Sequence, residues 1–197
     1  IKIIATRGVA AGHGLDIKNV ISNPTIAVIV DKLKEYSENT YTKGWTAIIT
    51  KVKRGDTLGS TKTLNYANNV LAKIEAGKRG ANEAIMLTHD GYLAEGTVSN
   101  LFFVKSGKLF TPSLKTGILK GITRGIIIKL AKKFKIKVIE GLFKKEILHS
   151  ADECFITFSG GGVIPIVKID GKKICNGKIG AITKGLIKSY DKETNLI

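Results

Sequence analysis

Gly91-Tyr92-Leu93-Ala94-Glu95-Gly96-Thr97-Val98-Ser99-Asn100-Leu101-Phe102-Phe103-Val104 is the stretch on which the fold turns. An acidic residue sits between two glycines, small polar residues follow, and then comes an apolar run of strand type. That order predicts a turn, a carboxylate held close to backbone, and a strand leaving the site. Alone it is a weak signal, because a carboxylate in a glycine-rich loop is commonly a turn residue. Its weight comes from three flanking pieces: Ser60-Thr61-Lys62-Thr63-Leu64-Asn65-Tyr66, Leu119-Lys120-Gly121-Ile122-Thr123-Arg124 and Ala151-Asp152-Glu153-Cys154-Phe155-Ile156-Thr157.

Working outward, Glu83 to Leu87 reads as a strand leading into the His89-Asp90-Gly91 turn. After the central loop, Leu101 to Lys105 turns through Ser106-Gly107 into Lys108 to Thr111 as a hairpin. Leu64, Ala67, Val70, Leu71 and Ile74 recur at helical spacing, with Gly80 as a stop. Ile122 to about Lys135 predicts a second helix with Ile122, Ile126, Leu130, Ala131 and Phe134 on one face. Strands are expected at Ile136 to Glu140, Glu153 to Phe158 and Val163 to Ile169, with a short helix near Lys145 to His149 and a closing helix from Thr183 to Tyr190. Upstream, strands are expected at Ile1 to Thr6, Thr25 to Asp31 and Trp45 to Lys53. The fold class is mixed α/β, strands dominating, without regular βαβ alternation.

The polar segment 32–43 carries charges of both signs and reads as an interdomain linker, leaving 1–31 and 44–197 as domains. The chain opens on Ile1 in what resembles the middle of a strand, so it is expected to be a fragment of a longer one.

Composition narrows the function classes. The 197 residues are 43% hydrophobic, enough for one substantial core, and no apolar run reaches membrane-spanning length. Cys154 and Cys175 form neither a metal-binding pair nor a disulfide framework, which fits a reducing cytoplasm; His13, His89 and His149 make no ligand pattern, and no metal is expected. The net charge of +16 raises the possibility of a basic, non-enzymatic nucleic-acid-binding domain. The lysines are scattered, however, and few aromatics interleave with them as base stacking would require. A solvated basic coat that welcomes an anionic substrate is the preferred reading, with neither nucleic acid nor membrane as partner.

Gly121-Ile122-Thr123 at a helix start offers free N–H groups, a hydroxyl and a positive dipole end, which together make a phosphate seat. Ser159 with Gly160 and Gly161 is a second, because missing side chains let backbone approach a ligand. Neither is a Walker loop. With the Lys62 amine and the Glu95 carboxylate added, the set suggests a pyridoxal phosphate pocket. A lysine amine condenses with an aldehyde once deprotonated, which burial and neighbouring positive charge favour. A carboxylate at the pyridine nitrogen keeps it protonated, so the ring can accept electrons. Spacing alone does not single out Lys62 among the lysines.

Taken together, these motifs resemble class IV aminotransferases, the fold-type-IV pyridoxal phosphate enzymes. That group includes branched-chain amino acid aminotransferase, D-amino acid aminotransferase and 4-amino-4-deoxychorismate lyase. The resemblance runs from Lys2 to Tyr190, through Lys62 to Tyr66, Glu75-Ala76, Glu83-Ala84, Glu95-Gly96 with Ser99 to Phe102, Thr111-Pro112, Gly121 to Arg124, Ala151 to Glu153 and Gly177 to Gly180. It implies a cofactor of pyridoxal 5'-phosphate, bonded to Lys62, which would also shuttle the proton. Tyr66 would hydrogen-bond the cofactor's phenolic oxygen and Glu95 would pair with its ring nitrogen. Ile122 and Thr123 would bind the phosphate, as would Ser159, with Gly160 and Gly161 on the substrate side. The family fold is a small N-terminal domain and a larger C-terminal pseudo-barrel, with a homodimer completing the pocket.

Departures qualify that picture. An arginine that grips the phosphate in the family should precede Ile1; if these residues are the whole polypeptide, weak or absent activity is expected. The loop Arg7 to Gly14 lacks the Arg-x-His carboxylate trap of the D-amino acid enzymes. Gly160-Gly161-Gly162 replaces small residues that usually end in Glu. Ile166 to Gly171 and the last helix resemble branched-chain transaminases, whereas Thr111 to Leu119 resembles the lyase at least as much. The resulting expectation is transfer of the amino group of a hydrophobic, branched-chain L-amino acid to 2-oxoglutarate. The alternative is pyruvate elimination from aminodeoxychorismate.

Overall fold

The computed structural model describes residues 1–33, 35–55 and 59–194. The chain divides into two compact units, Ile1–Lys34 and Glu35–Ile197. In the first, β1 (Lys2–Ala5) pairs antiparallel with β2 (Ile26–Ile29), Lys2 opposite Ile29. Asp16 caps a 3-10 turn at Ile17–Asn19 by accepting from the Lys18 N–H.

The second unit runs through α1 (Glu38–Thr42), β3 (Trp45–Lys53), α2 (Ala67–Lys78), β4 (Glu83–Leu87), β5 (Asn100–Lys105), β6 (Lys108–Pro112), α3 (Ile122–Lys133) and β7 (Val138–Gly141). A 3-10 helix at Lys145–Ser150, β8 (Glu153–Phe158), β9 (Gly162–Ile169), β10 (Lys172–Lys173) and α4 (Ala181–Thr194) complete it. The strands lie in the order β4-β3-β9-β8-β5-β6-β7, with β10 added to β9. Neighbours are parallel at β3/β4, β3/β9 and β6/β7 and antiparallel at β5/β6, β5/β8 and β8/β9.

The stretch that opened the sequence reading closes this path. Ala94 N–H donates to Met86 and Met86 N–H to the Glu95 carbonyl, so residues 92–95 line up beside β4. On their other side Leu93 N–H donates to Phe143, just beyond β7. The strands therefore form a barrel-like ring in which Tyr92 to Glu95 is the seam.

Strand alternation explains why β4 and β5 read as unbroken apolar runs. Ile85, Leu87, Leu101 and Phe103 point into one cluster with Cys154, Ile156, Ile164 and Ile166. Phe102 and Val104 point the other way, against Ile127, Leu130 and Leu186 of α3 and α4. Phe102 stacks on its cross-strand partner Phe155 at 5.0 Å, and Phe103 on Phe110 at 5.1 Å. The Ser106-Gly107 turn has φ of 49° and 70°, as a tight two-residue hairpin requires.

Three expectations need correcting. Segment 32–43 is not simply a linker: apart from Lys34, which lies outside the described residues, it includes α1, with Thr40 buried and the Tyr41 hydroxyl bonded to the Gly161 carbonyl at 3.2 Å. Five residues are too few to show helical periodicity in a polar sequence. Helix α2 exists, but its recurring Leu64, Val70, Leu71 and Ile74 are 48–58% exposed. Its buried face is Ala72 and Ala76, whose small side chains let the helix lie close on Ile48, Ala84 and Met86. Helix α3 ends at Lys133 and its buried face is shifted from the expected one: Leu130 and Ala131 are buried and Ile126 packs beside them as expected, but Ile122 is 78% and Phe134 48% exposed, and Thr123, Arg124 and Ile127 are buried. Arg124 dictates that shift, since its guanidinium donates to the Pro112 carbonyl at 3.0 Å and pairs with Glu140 at 2.7 Å.

Candidate active site

Glu95 leaves the seam with its carboxylate buried, 5% of the residue remaining exposed. One oxygen meets Nη2 of Arg54 at 2.8 Å. The other accepts from Leu119 N–H and Asn100 Nδ2, both at 3.1 Å. Arg54 follows β3 directly, its N–H donating to the Leu87 carbonyl at 2.9 Å, and its Nη2 also reaches the Gly59 carbonyl at 2.6 Å. A strand end on the neighbouring strand thus carries the cation to the acid.

Burial pushes the Glu95 carboxyl up to about 7, against the pull of Arg54, the Leu119 N–H and the Lys62 charge. The ligand-free chain is expected to lose stability as pH rises from about 4.5 to about 7, because the folded state then holds a proton that the unfolded chain releases. The ceiling is on the order of 3 kcal/mol. Glu95→Gln should flatten that slope in denaturant titrations performed across the window.

Lys62 and Tyr66 line the same cleft, of about 160 Å³, as Glu95 and Arg54. Tight local turns set the approach to α2: Thr63 N–H donates to Thr61, Asn65 N–H to the Thr63 hydroxyl and Tyr66 N–H to Leu64. Lys62 is exposed at the rim, and Arg54 lies in the same lining. Lys62 is the only lysine among the described residues lining this cleft.

Ile122 and Thr123 lie one step away. Asn100 joins the two places, since its Nδ2 bonds both Glu95 and the Leu119 carbonyl, at 3.1 and 2.9 Å. Its Oδ1 occupies the space that a Cβ on Gly121 would need. Gly121 caps α3 without a side-chain bond, so the first N–H groups of the helix have no side-chain cap. Thr123 is buried, its hydroxyl 3.5 Å from that of Tyr190.

Ser159, Gly160 and Gly161 form the β8–β9 turn and are not among the cleft-lining residues. Gly161 and Gly162 have a packing reason: the Phe158 ring fills the space a Cβ on Gly161 would take, and Tyr190 lies against Gly162. Tyr190 thereby links this turn to the start of α3.

Sequence reasoning did not single out Arg54, nor did it give Asn100 a place beside the acid. A signal for the first was present. Only four arginines, Arg7, Arg54, Arg79 and Arg124, stand in a chain with 32 Lys and Arg. Every ion pair among the described residues uses one of the last three. An arginine where the chain otherwise spends lysine marks a planar, charge-paired position.

Comparison with known proteins gives the family. The model for Amino-transferase class IV matches residues 1–169, and the chain belongs to that family. A Methanocaldococcus jannaschii protein provisionally named a branched-chain-amino-acid aminotransferase is 41% identical over 193 residues, covering 96% of this chain and 65% of that protein. The Pseudomonas aeruginosa branched-chain-amino-acid aminotransferase is 42% identical over 125 residues, 64% of this chain and 40% of the relative. A T.th. branched-chain amino acid aminotransferase, solved with pyridoxamine 5'-phosphate, superposes with a TM-score of 0.83 at 30% identity, covering 95% of this chain and 62% of that one. The chain therefore spans less than two thirds of the length of each of these, and its mixed α/β fold is the fold-type-IV fold.

Proposed function

We propose that this chain is a pyridoxal 5'-phosphate-dependent aminotransferase that moves the amino group of a hydrophobic, branched-chain L-amino acid to 2-oxoglutarate. The observation that carries the reading is a single cleft with one lysine amine at its rim and a buried, arginine-backed carboxylate in its wall. The residues fit the group. Glu95 would hold the ring nitrogen, Tyr66 the phenolic oxygen and Lys62 the aldehyde carbon. Ile122 and Thr123 would hold the phosphate from the start of α3, with Ser159 beyond Tyr190, and Gly160 and Gly161 on the substrate side. When bound, the cofactor supplies an electron sink for the substrate's Cα.

The chain's own residues do the rest. Glu95 would face the ring nitrogen with its carboxylate, and Arg54 offsets part of the burial that favours the protonated form. The Lys62 amine would take the proton from the substrate's Cα and hold it for return. Coupled assays with leucine plus 2-oxoglutarate are expected to yield glutamate. Turnover of aminodeoxychorismate instead would move the chain to the lyase, and no turnover of either would reject both activities for it.

Residues 1–34 are read as part of the small N-terminal domain and the rest as the cofactor-binding domain. A homodimer is supported by the exposed stripe Leu64, Val70, Leu71 and Ile74 beside the cleft. Leu71→Glu with Ile74→Glu should shift sedimentation from dimer towards monomer; unchanged sedimentation of a dimer would move the interface elsewhere. Cytoplasmic residence is consistent with free Cys154 and Cys175, and no helix among the described residues is long and apolar enough to cross a membrane.

A further inference from the structure

Glu83 opens β4 and is 1% exposed. Among the described residues no ion pair reaches it. Four hydrogen bonds satisfy it instead. Oε1 accepts from its neighbour Ala84 N–H at 2.8 Å, from Thr97 N–H at 3.2 Å and from the Thr97 hydroxyl at 2.7 Å. Oε2 accepts from the Ser99 hydroxyl at 3.0 Å. Three of the four donors belong to the loop between Glu95 and Asn100, the two residues joined at the acid. Gly96 shows how close the approach is: a Cβ there would stand 3.0 Å from Glu83 Oε2 and collide with the Ser99 hydroxyl. Gly96 N–H meanwhile donates to the Ser99 carbonyl at 2.7 Å, and Asn69 Nδ2 holds the Thr97 carbonyl at 2.6 Å from α2.

A buried carboxylate without a cation is costly, and one that takes three of its four hydrogen bonds from a single loop ties its energy to that loop's conformation. We propose that Glu83 is a positioning residue: its carboxylate is the anchor around which Gly96 to Ser99 folds, and that fold aims Glu95 into the cleft. Thr97, Val98 and Ser99 line the cleft, so the same anchor sets part of its wall. The charged groups facing Glu95 itself are Arg54 at the end of β3 and Lys62 before α2. Freeing the loop admits water to Glu95 while leaving both in place. The carboxyl should then titrate closer to the ordinary carboxylate range. The consequence for pyridoxal phosphate rests on the function proposed above; the consequence for the loop does not.

The test compares Glu83→Ala and Glu83→Gln with the unaltered chain. Three measurements are made: amide hydrogen exchange of Gly96 and Thr97, the Glu95 titration midpoint by carboxyl NMR, and pyridoxal phosphate affinity by absorbance. Glu83→Ala is expected to speed exchange locally, lower the midpoint from about 7 and weaken the cofactor about tenfold or more. Glu83→Gln, which keeps an acceptor for Thr97, should recover part of each. Exchange that speeds equally through β4 and β5 would show a merely structural residue and overturn the proposal. So would unchanged loop exchange together with an unchanged midpoint. If Glu83→Ala does not fold, Glu83→Gln decides by the same three measurements, and values matching the unaltered chain overturn it. Failure of the unaltered chain to bind pyridoxal phosphate would sink the proposed function, while exchange and the Glu95 midpoint still judge Glu83.

Discussion

Lys62→Ala is expected to abolish the visible absorbance that the chain acquires with pyridoxal phosphate and to lower transamination by about a thousandfold or more. Proton transfer by a positioned side chain is worth roughly 10²–10⁴ in rate, and this amine is assigned both that transfer and the covalent hold on the cofactor. No other described lysine lines the cleft, so no neighbour is placed to take over. Because Lys62 is exposed, the substitution should change unfolding free energy by no more than about 0.5 kcal/mol. Loss of colour therefore cannot be put down to loss of fold. A variant that keeps the absorbance would mean that the reactive amine is elsewhere.

Arg54→Met is expected to act through Glu95. Without the guanidinium the carboxyl loses the strongest influence that lowers its pKa, and burial drives the midpoint above about 7. At neutral pH more of Glu95 is protonated and cannot hold a protonated ring nitrogen. Activity should fall roughly 10- to 100-fold at pH near 7, by the one or two pKa steps of lost interaction, and recover as pH rises. Glu95→Gln should lose more, about 10²–10³, with no recovery at any pH. The stability slope follows the same sign. With a higher folded midpoint, Arg54→Met should go on losing stability at pH values where the unaltered chain has levelled off. A pH–rate profile that is merely scaled down, with its midpoint unmoved, would detach Arg54 from the acid.

Much of the site was legible in sequence because its pieces are local. Glu95 between glycines, the turn-rich lead into α2 and the Gly121-Ile122-Thr123 helix start each carry their geometry within a few residues. What escaped was non-local. Arg54 reaches Glu95 only because β3 lies beside β4, and that pairing is parallel and has no hairpin to announce it. The buried side of α2 and the ends of the α3 face differ from expectation for a related reason. Periodicity shows that a helix exists, whereas Ala72, Ala76 and Arg124 show which side is buried, and they do so through partners on distant strands. The turn at Ser159 to Gly161 was read as room for a ligand, and there Phe158 fills part of the gap.

The seam at Tyr92 to Glu95 has a consequence for synthesis. Leu93 has no partner on its outer side until Phe143 has left the ribosome. Until then the acid belongs to an unpaired edge, open to water and to other nascent chains. Protection of that edge should thus wait for Phe143, and a closed ring for β8 and β9, which are made later still and lie between β5 and β3.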